Sequence, residues 1–325
     1  MIKIKRLIAT AALSLFAFSA VGCSIIAKTP EAIQKTVLAK VQGQEITRGD
    51  VDEIAEYYLL QYGEDYDTNE ELADTVKSIR TQALSMLVEE KILELKATEL
   101  ELLPTDEEVT EEVNTYIENL KTSLGGDNEF NTALEEAGYT LESYTETLMT
   151  SRKMQLISDK VMEYIFKDIA VDDAAVETYY NKNIDAFTTG DVSHILVSDE
   201  TLANEIREKA LNGEDFAKLA KEYSEDTGTA EKGGSLGSVS FASTTYVTEF
   251  MDGVRSLKDG GISEPVKSKY GYHIIKVENV KVANLEESKE SIVTTLENEQ
   301  KSTLYYDSIK QWEKDYNVKK YENRL

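Results

Sequence analysis

The sequence predicts an α+β protein in which a long, mainly helical region is interrupted by a small unit of strands and helices. Three observations carry that prediction. Apolar residues recur at helical spacing over 72–167 and again over 285–316. Between them, the stretch 192–280 opens with V-S-H-I-L-V and closes with G-Y-H-I-I-K-V, β-branched runs of the kind that form strands with a buried face. Only two of the 325 residues are histidines, His194 in the first run and His273 in the second, so the two are expected on neighbouring strands.

From the start of the chain, residues 1–22 combine Lys3, Lys5 and Arg6 with an apolar run over 7–21 and small residues at Ala20 and Gly22. This is the three-part pattern of a signal peptide, and the run is short for a membrane span of about 20 residues. Cys23 follows and is the sole cysteine, so no internal disulfide forms. The run A-V-G-C resembles the lipobox of bacterial lipoproteins, with Ala20 where leucine is commoner. The resemblance implies lipidation of Cys23, with 23–36 as a lipid-anchored tether; two acyl chains suffice for stable anchoring. Ordinary cleavage leaving a free thiol is the alternative. Removing 1–22 takes three basic residues and leaves 32 Lys and Arg against 61 Asp and Glu, a net charge of −29. Such a surface repels nucleic acid and anionic headgroups, which argues against roles in binding either.

The next region, 37–187, begins with a short hairpin turning at Gln42-Gly43, after which Thr47 and Asp50 form a capping arrangement. Leu72, Val76, Ile79, Ala83 and Met86 make one helical stripe that runs on to Pro104. Thr105 and Glu108 read as a capping box for a helix carrying Val109, Val113 and Ile117, broken by Gly125-Gly126. Gly138 stops a short helix, 141–167 forms a long one and 172–183 one more. Thr188-Thr189-Gly190 is the candidate linker into 188–280. After it, 281–325 carries Ile292, Leu296, Leu304 and Trp312 on a helix of roughly 30 residues, which cannot bury its stripe alone. The simplest partner is 37–187, which makes 188–280 an insertion into one discontinuous helical domain.

Within the insertion, helices are predicted over 200–211 and 215–223, separated by Gly213. S-E-D-T-G and G-G-S-L-G follow, a loop too rich in glycine for helix or regular strand. An amphipathic stretch over 247–257 then leads into I-S-E-P-V.

This order of elements, with V-S-H-I-L-V, G-G-S-L-G and I-S-E-P-V…G-Y-H-I-I-K-V, resembles the parvulin type of peptidyl-prolyl isomerase over about 90 residues. The run V-L-A-K-V-Q-G-Q-E-I-T-R-G-D is similar to the start of the chaperone domain of PrsA and SurA-type foldases. The resemblance implies an antiparallel sheet surrounded by helices, inserted into a helical chaperone domain. It implies an apolar slot for the proline ring from Leu236, Tyr246 and Phe250. Beside the slot it implies a polar network of His194, Asp226 and His273, with Tyr270 where relatives vary. In this reading the histidines orient and hydrogen-bond, and no cofactor is needed. Bland readings stand beside it: two core imidazoles bonded to each other or to a hydroxyl, Asp226 as the acid of an Asx turn, and the three apolar residues as core. Two histidines without a third ligand do not make a metal site.

Ser235 stands where relatives often have aspartate, and Ser238-Val239 replaces a common aromatic pair. Phosphate-selecting parvulins carry a basic cluster after the first strand, where this chain has Ser198-Asp199-Glu200. The expectation is therefore an extracytoplasmic foldase, lipid-anchored to the outer face of the bacterial cell membrane, that isomerises X–Pro bonds of unfolded secreted proteins without phosphate selection. Monomer and homodimer are both left open. The rival is a holdase whose parvulin domain only binds peptide; a solute-binding lipoprotein would have two α/β lobes, which the helical stripes oppose.

Overall fold

In the computed structural model, residues 29–63 and 65–325 are described. The expected signal peptide and Cys23 lie outside them. In chain order the elements are α1 (Pro30–Gln34), β1 (Val37–Val41), β2 (Gln44–Thr47), α2 (Arg48–Leu59), α3 (Ala73–Glu99), α4 (Asp106–Leu124), α5 (Asp127–Ala137), α6 (Leu141–Phe166) and α7 (Asp173–Lys182). Then come β3 (Thr188–Val197), α8 (Glu200–Leu211), α9 (Phe216–Tyr223), β4 (Ser235–Ser240), α10 (Thr248–Arg255), β5 (Val266–Ser268), β6 (Gly271–Val282), α11 (Leu285–Asp315) and β7 (Lys319–Lys320). The chain divides into two compact units, one of residues 1–154 with 311–325 and one of 155–310, with the boundaries inside α6 and α11. No helix among the described residues is long and apolar enough to cross a membrane.

Local signals account for the element ends. α1 stands inside the expected tether because Thr29 caps it and Pro30, which has no N–H to leave unpaired in the first turn, opens it. The β1–β2 hairpin turns through Gln42 and Gly43, both at positive φ, the conformation that a two-residue hairpin loop needs. Thr47 with Asp50, and Thr105 with Glu108, form reciprocal capping boxes on α2 and α4.

In the first unit, β1 lies between β2 and the C-terminal β7. Leu38, Val41, Val51, Leu59, Leu84 and Ile92 are buried in it. Arg80 is buried on α3 with its guanidinium on Asp52 at 2.7 Å and Asp67 at 2.8 Å, while Arg48 also holds Asp52 at 2.9 Å. Nothing in the hydrophobic periodicity foreshadows this ionic cluster.

In the second unit the strands form an antiparallel sheet in the order β4-β3-β6-β5. One face, with Ile195, Val197 and Ile274, is covered by α8 and α9. The other, with Val192, Ile275 and Val277, is covered by α10 through Phe250, Met251 and Val254. Both faces are buried, which is why H-I-L-V and H-I-I read as unbroken apolar runs.

Two expectations need correction. Thr188-Thr189-Gly190 is no linker but the first part of β3, paired with β4 and β6. Gly190 belongs there because a Cβ would come within 3.0 Å of Val277 Cγ1 and 3.3 Å of Phe241. The glycine loop is likewise partly strand: Ser235–Ser240 pairs with β3, with a register shift opposite Val192 and Ser193 that the left-handed Gly237 accommodates.

Candidate active site

Strand parity builds the site. Residues of one parity in β3 (Val192, His194) and in β6 (His273, Ile275, Val277) face α10, and the register sets His194 opposite Ile275 and His273 opposite Leu196. The two histidines are thus diagonal neighbours on one face, a distance that side chains bridge. Their Nδ1 atoms are 3.2 Å apart, and they are only 6 % and 5 % exposed. Phe250 sets its ring nearly perpendicular to both imidazoles, with centroids 5.6 and 5.3 Å away, and Tyr246 lies 5.4 Å from Phe250.

Asp226 reaches the pair from the loop after α9. Ser224 accepts from the Leu196 N–H, and the Glu225 N–H donates to the Leu196 carbonyl at 2.7 Å, so the S-E-D segment docks on β3. Asp226 Oδ1 then accepts from the Gly228 N–H at 3.1 Å, while Oδ2 takes the Thr229 hydroxyl and His194 Nε2 at 2.8 Å. The Asx turn and the link to histidine are therefore one arrangement. On the far side, the Ser268 hydroxyl lies 2.7 Å from His273 Nε2.

Donor chemistry fixes a direction along this row. A carboxylate only accepts, so His194 Nε2 carries the hydrogen shared with Asp226. With one proton per ring, His194 Nδ1 is then the acceptor for His273 Nδ1–H, and His273 Nε2 accepts from Ser268. The Thr229 hydroxyl, helped by His194 and the Gly228 N–H and opposed by partial burial, holds the Asp226 carboxyl below the usual carboxylate range. Burial, and the neighbouring His194, push His273 down to about 4, with Asp226 acting weakly the other way.

The structure brings His194, Asp226, His273 and Phe250 together. Phe250 is 2 % exposed and belongs to the core under α10; Leu236 and Tyr246 are half-buried against the same core. Both the slot and the core readings therefore fit these three side chains. Tyr270 stands apart: its ring is 60 % exposed, and only its N–H joins the row, donating to Ser268 at 3.1 Å. Sequence reasoning left Thr229 and Ser268 unnamed. A hydroxyl three residues after Asp226 and another five before His273 were the available signals, and neither has a periodicity to mark it.

Gly234 closes the site from below. Its φ is +78°, the His194 N–H donates to its carbonyl at 2.9 Å, and a Cβ there would fall on the His194 carbonyl oxygen. Only glycine permits that approach.

A two-sided antiparallel sheet carrying this histidine pair, with a glycine loop and an aromatic against both rings, defines the parvulin class of peptidyl-prolyl isomerase domain. Residues 197–279 match the PPIC-type PPIASE domain family, and residues 2–162 match the SurA-like N-terminal domain family. Over 99 % of its length the chain is 39 % identical to the foldase protein PrsA of Clostridium kluyveri, covering 99 % of that protein. It is 36 % identical to the foldase protein PrsA of Clostridium botulinum strain Langeland, covering 99 % of this chain and 98 % of that one. The chain belongs to the PrsA foldase family. Among solved structures, the crystal structure of peptidylprolyl isomerase PrsA from Bacillus cereus covers 88 % of this chain and 94 % of its own, at 32 % identity and a TM-score of 0.43.

Proposed function

We propose that the Asp226–His194–His273–Ser268 row is the polar wall of the isomerase site and that Leu236, Tyr246 and Phe250 hold the proline ring. Rotation about X–Pro is slowed by amide resonance, with a barrier of about 18–20 kcal/mol. The planar amide is the charge-separated form, so a dry slot disfavours it and favours the twisted form. The imidazoles keep the slot dry and hold one orientation, because each proton along the row is committed to a partner. No covalent step is needed. The single observation that carries this reading is the edge-on contact of Phe250 with both imidazoles, which joins the apolar and polar halves in one place.

The substrates are unphosphorylated X–Pro segments of unfolded secreted proteins, held by the helical region 37–187 with 281–325 while the insertion 188–280 acts on them. Ser198 donates to Glu225, Asp199 caps α8 and Glu200 accepts from Tyr272, so carboxylates occupy the place that a phosphate-binding cluster would need. The leader and the Cys23 lipobox support extracytoplasmic work from a lipid anchor. Tyr270, at a position where relatives vary, joins the network at its exposed edge through its N–H on Ser268.

The test is protease-coupled isomerisation of short X–Pro peptides by the full chain and by its Phe250→Leu and His273→Asn variants. Acceleration by the intact chain, with at least a tenfold loss in folded variants, supports the assignment. A folded chain that accelerates no such peptide leaves the holdase as the better account.

A further inference from the structure

Outside the isomerase site, the second unit carries a groove of about 550 Å3 between the end of α6, the segment after it and the middle of α11. That volume is within the usual range for ligand sites, about 300–1,000 Å3. Its floor is apolar, with Ile165, Ile169 and Leu296, while its rim carries Asp168, Glu299 and Asp307 and no lysine or arginine. Each of these three carboxylates is exposed, and none of them pairs with a cation among the described residues. They do not converge as a metal-ligand set either.

An apolar floor under unneutralised carboxylates selects its occupant by charge. A second copy of this chain is disfavoured, since a net charge of −26 meets the same sign on the rim. Lysine and arginine suit the place, because their stems lie along apolar surface while the charged ends reach the rim. We propose that the groove binds an extended, unfolded client segment in which lysine or arginine flanks an apolar residue. The proposal rests on the foldase reading only for the kind of client. The groove shares no residue with the row of Asp226, His194, His273 and Ser268.

The experiment measures fluorescence anisotropy of two proline-free peptides with the full chain. One peptide interleaves leucine with arginine; the other has glutamate for arginine. The arginine peptide should bind at least tenfold more tightly, and less tightly as salt rises. Glu299→Lys with Asp307→Lys should weaken the arginine peptide at least tenfold and favour the glutamate one. The control pair Glu205→Lys with Glu214→Lys, exposed carboxylates at α8 and just before α9, makes the same change in net charge and should shift binding less than threefold.

Equal binding of the two peptides, or an equal loss in the control, overturns the proposal. So does a change in the sedimentation of the unliganded groove variant, which would assign the groove to a second copy. Isomerisation of a short X–Pro peptide is followed in the same samples. An unmodified chain that catalyses but does not bind the arginine peptide sinks only the groove, whereas an unmodified chain that binds the peptide but does not catalyse sinks only the isomerase site.

Discussion

Acidification tests the site most directly. His273 is 5 % exposed, lies 3.2 Å from His194 through Nδ1 and accepts Ser268 at 2.7 Å through Nε2, so a second ring proton places a charge in a buried site beside His194 and forces the serine hydroxyl to turn from donor to acceptor. Its pKa falls from 6.5 to about 4 in the folded chain. The unfolded chain therefore binds a proton that the folded one refuses between those values. Stability from this group is complete above pH 6.5, declines as pH falls and is gone below about pH 4. At 1.36 kcal/mol per pH unit the full effect is about 3 kcal/mol, of which about 2 kcal/mol is lost by pH 5. With only two histidines in the chain, the ring signals are few enough to titrate individually by NMR, and a His273→Asn variant assigns them. Hydrogen exchange of the Ile274 and Ile275 amides, central in β6, reports the accompanying loss of stability. A His273 ring that titrates near 6.5, or exchange protection unchanged between pH 7 and 5, refutes the reasoning.

The same geometry supports three further expectations. Thr229→Val removes the hydroxyl that most lowers the Asp226 carboxyl, so the acid limb of the pH–rate profile should move to higher pH and Thr229→Ser should restore it, whereas a purely structural role would lower the rate without moving the limb. Gly234→Ala should cost at least about 3 kcal/mol in urea unfolding, because strain at φ +78° is joined by collision with the His194 carbonyl; Gly43→Ala, at φ +85° with no atom within 4 Å, should cost only about 1 kcal/mol. Arg80→Met leaves Asp67 without its cation and Asp52 with Arg48 alone, and should destabilise the first unit by about 3 kcal/mol at pH 7. Since Arg80 holds Asp67 below its usual 3.8, the advantage of the unmodified chain should shrink as pH falls below that value.

Much of this was legible in the residue order. Capping boxes at Thr47 and Thr105, the breaks at Gly125-Gly126 and Gly138, and the strands around the two histidines are local signals, and the structure has each where the residues put it. The parity of His194 and His273 can be read from a period of two, which is why the pair was foreseeable. The Thr188–Gly190 segment and the strand after the glycine loop were misread because local preference for a turn yields to pairing on both sides of β3. Thr229, Ser268 and the Arg48–Asp52–Arg80–Asp67 cluster escaped for another reason. They are polar residues chosen by long-range approach, and no spacing along the chain announces a partner that only the fold supplies.

The pairing of β1 with β7 sets an order of events. Ala39 faces Lys320, the Tyr321 N–H donates to the Leu38 carbonyl, and Arg324 reaches the Val37 carbonyl at 2.9 Å. A chain that emerges from its N-terminus first exposes one edge of β1 and must leave it open until residues 319–324 arrive. The inserted sheet, by contrast, draws all its strands from 188–282 and can close sooner. Until residues 319–320 are made, the first unit thus keeps one edge of β1 unpaired, the condition that exposes any incomplete sheet to wrong partners.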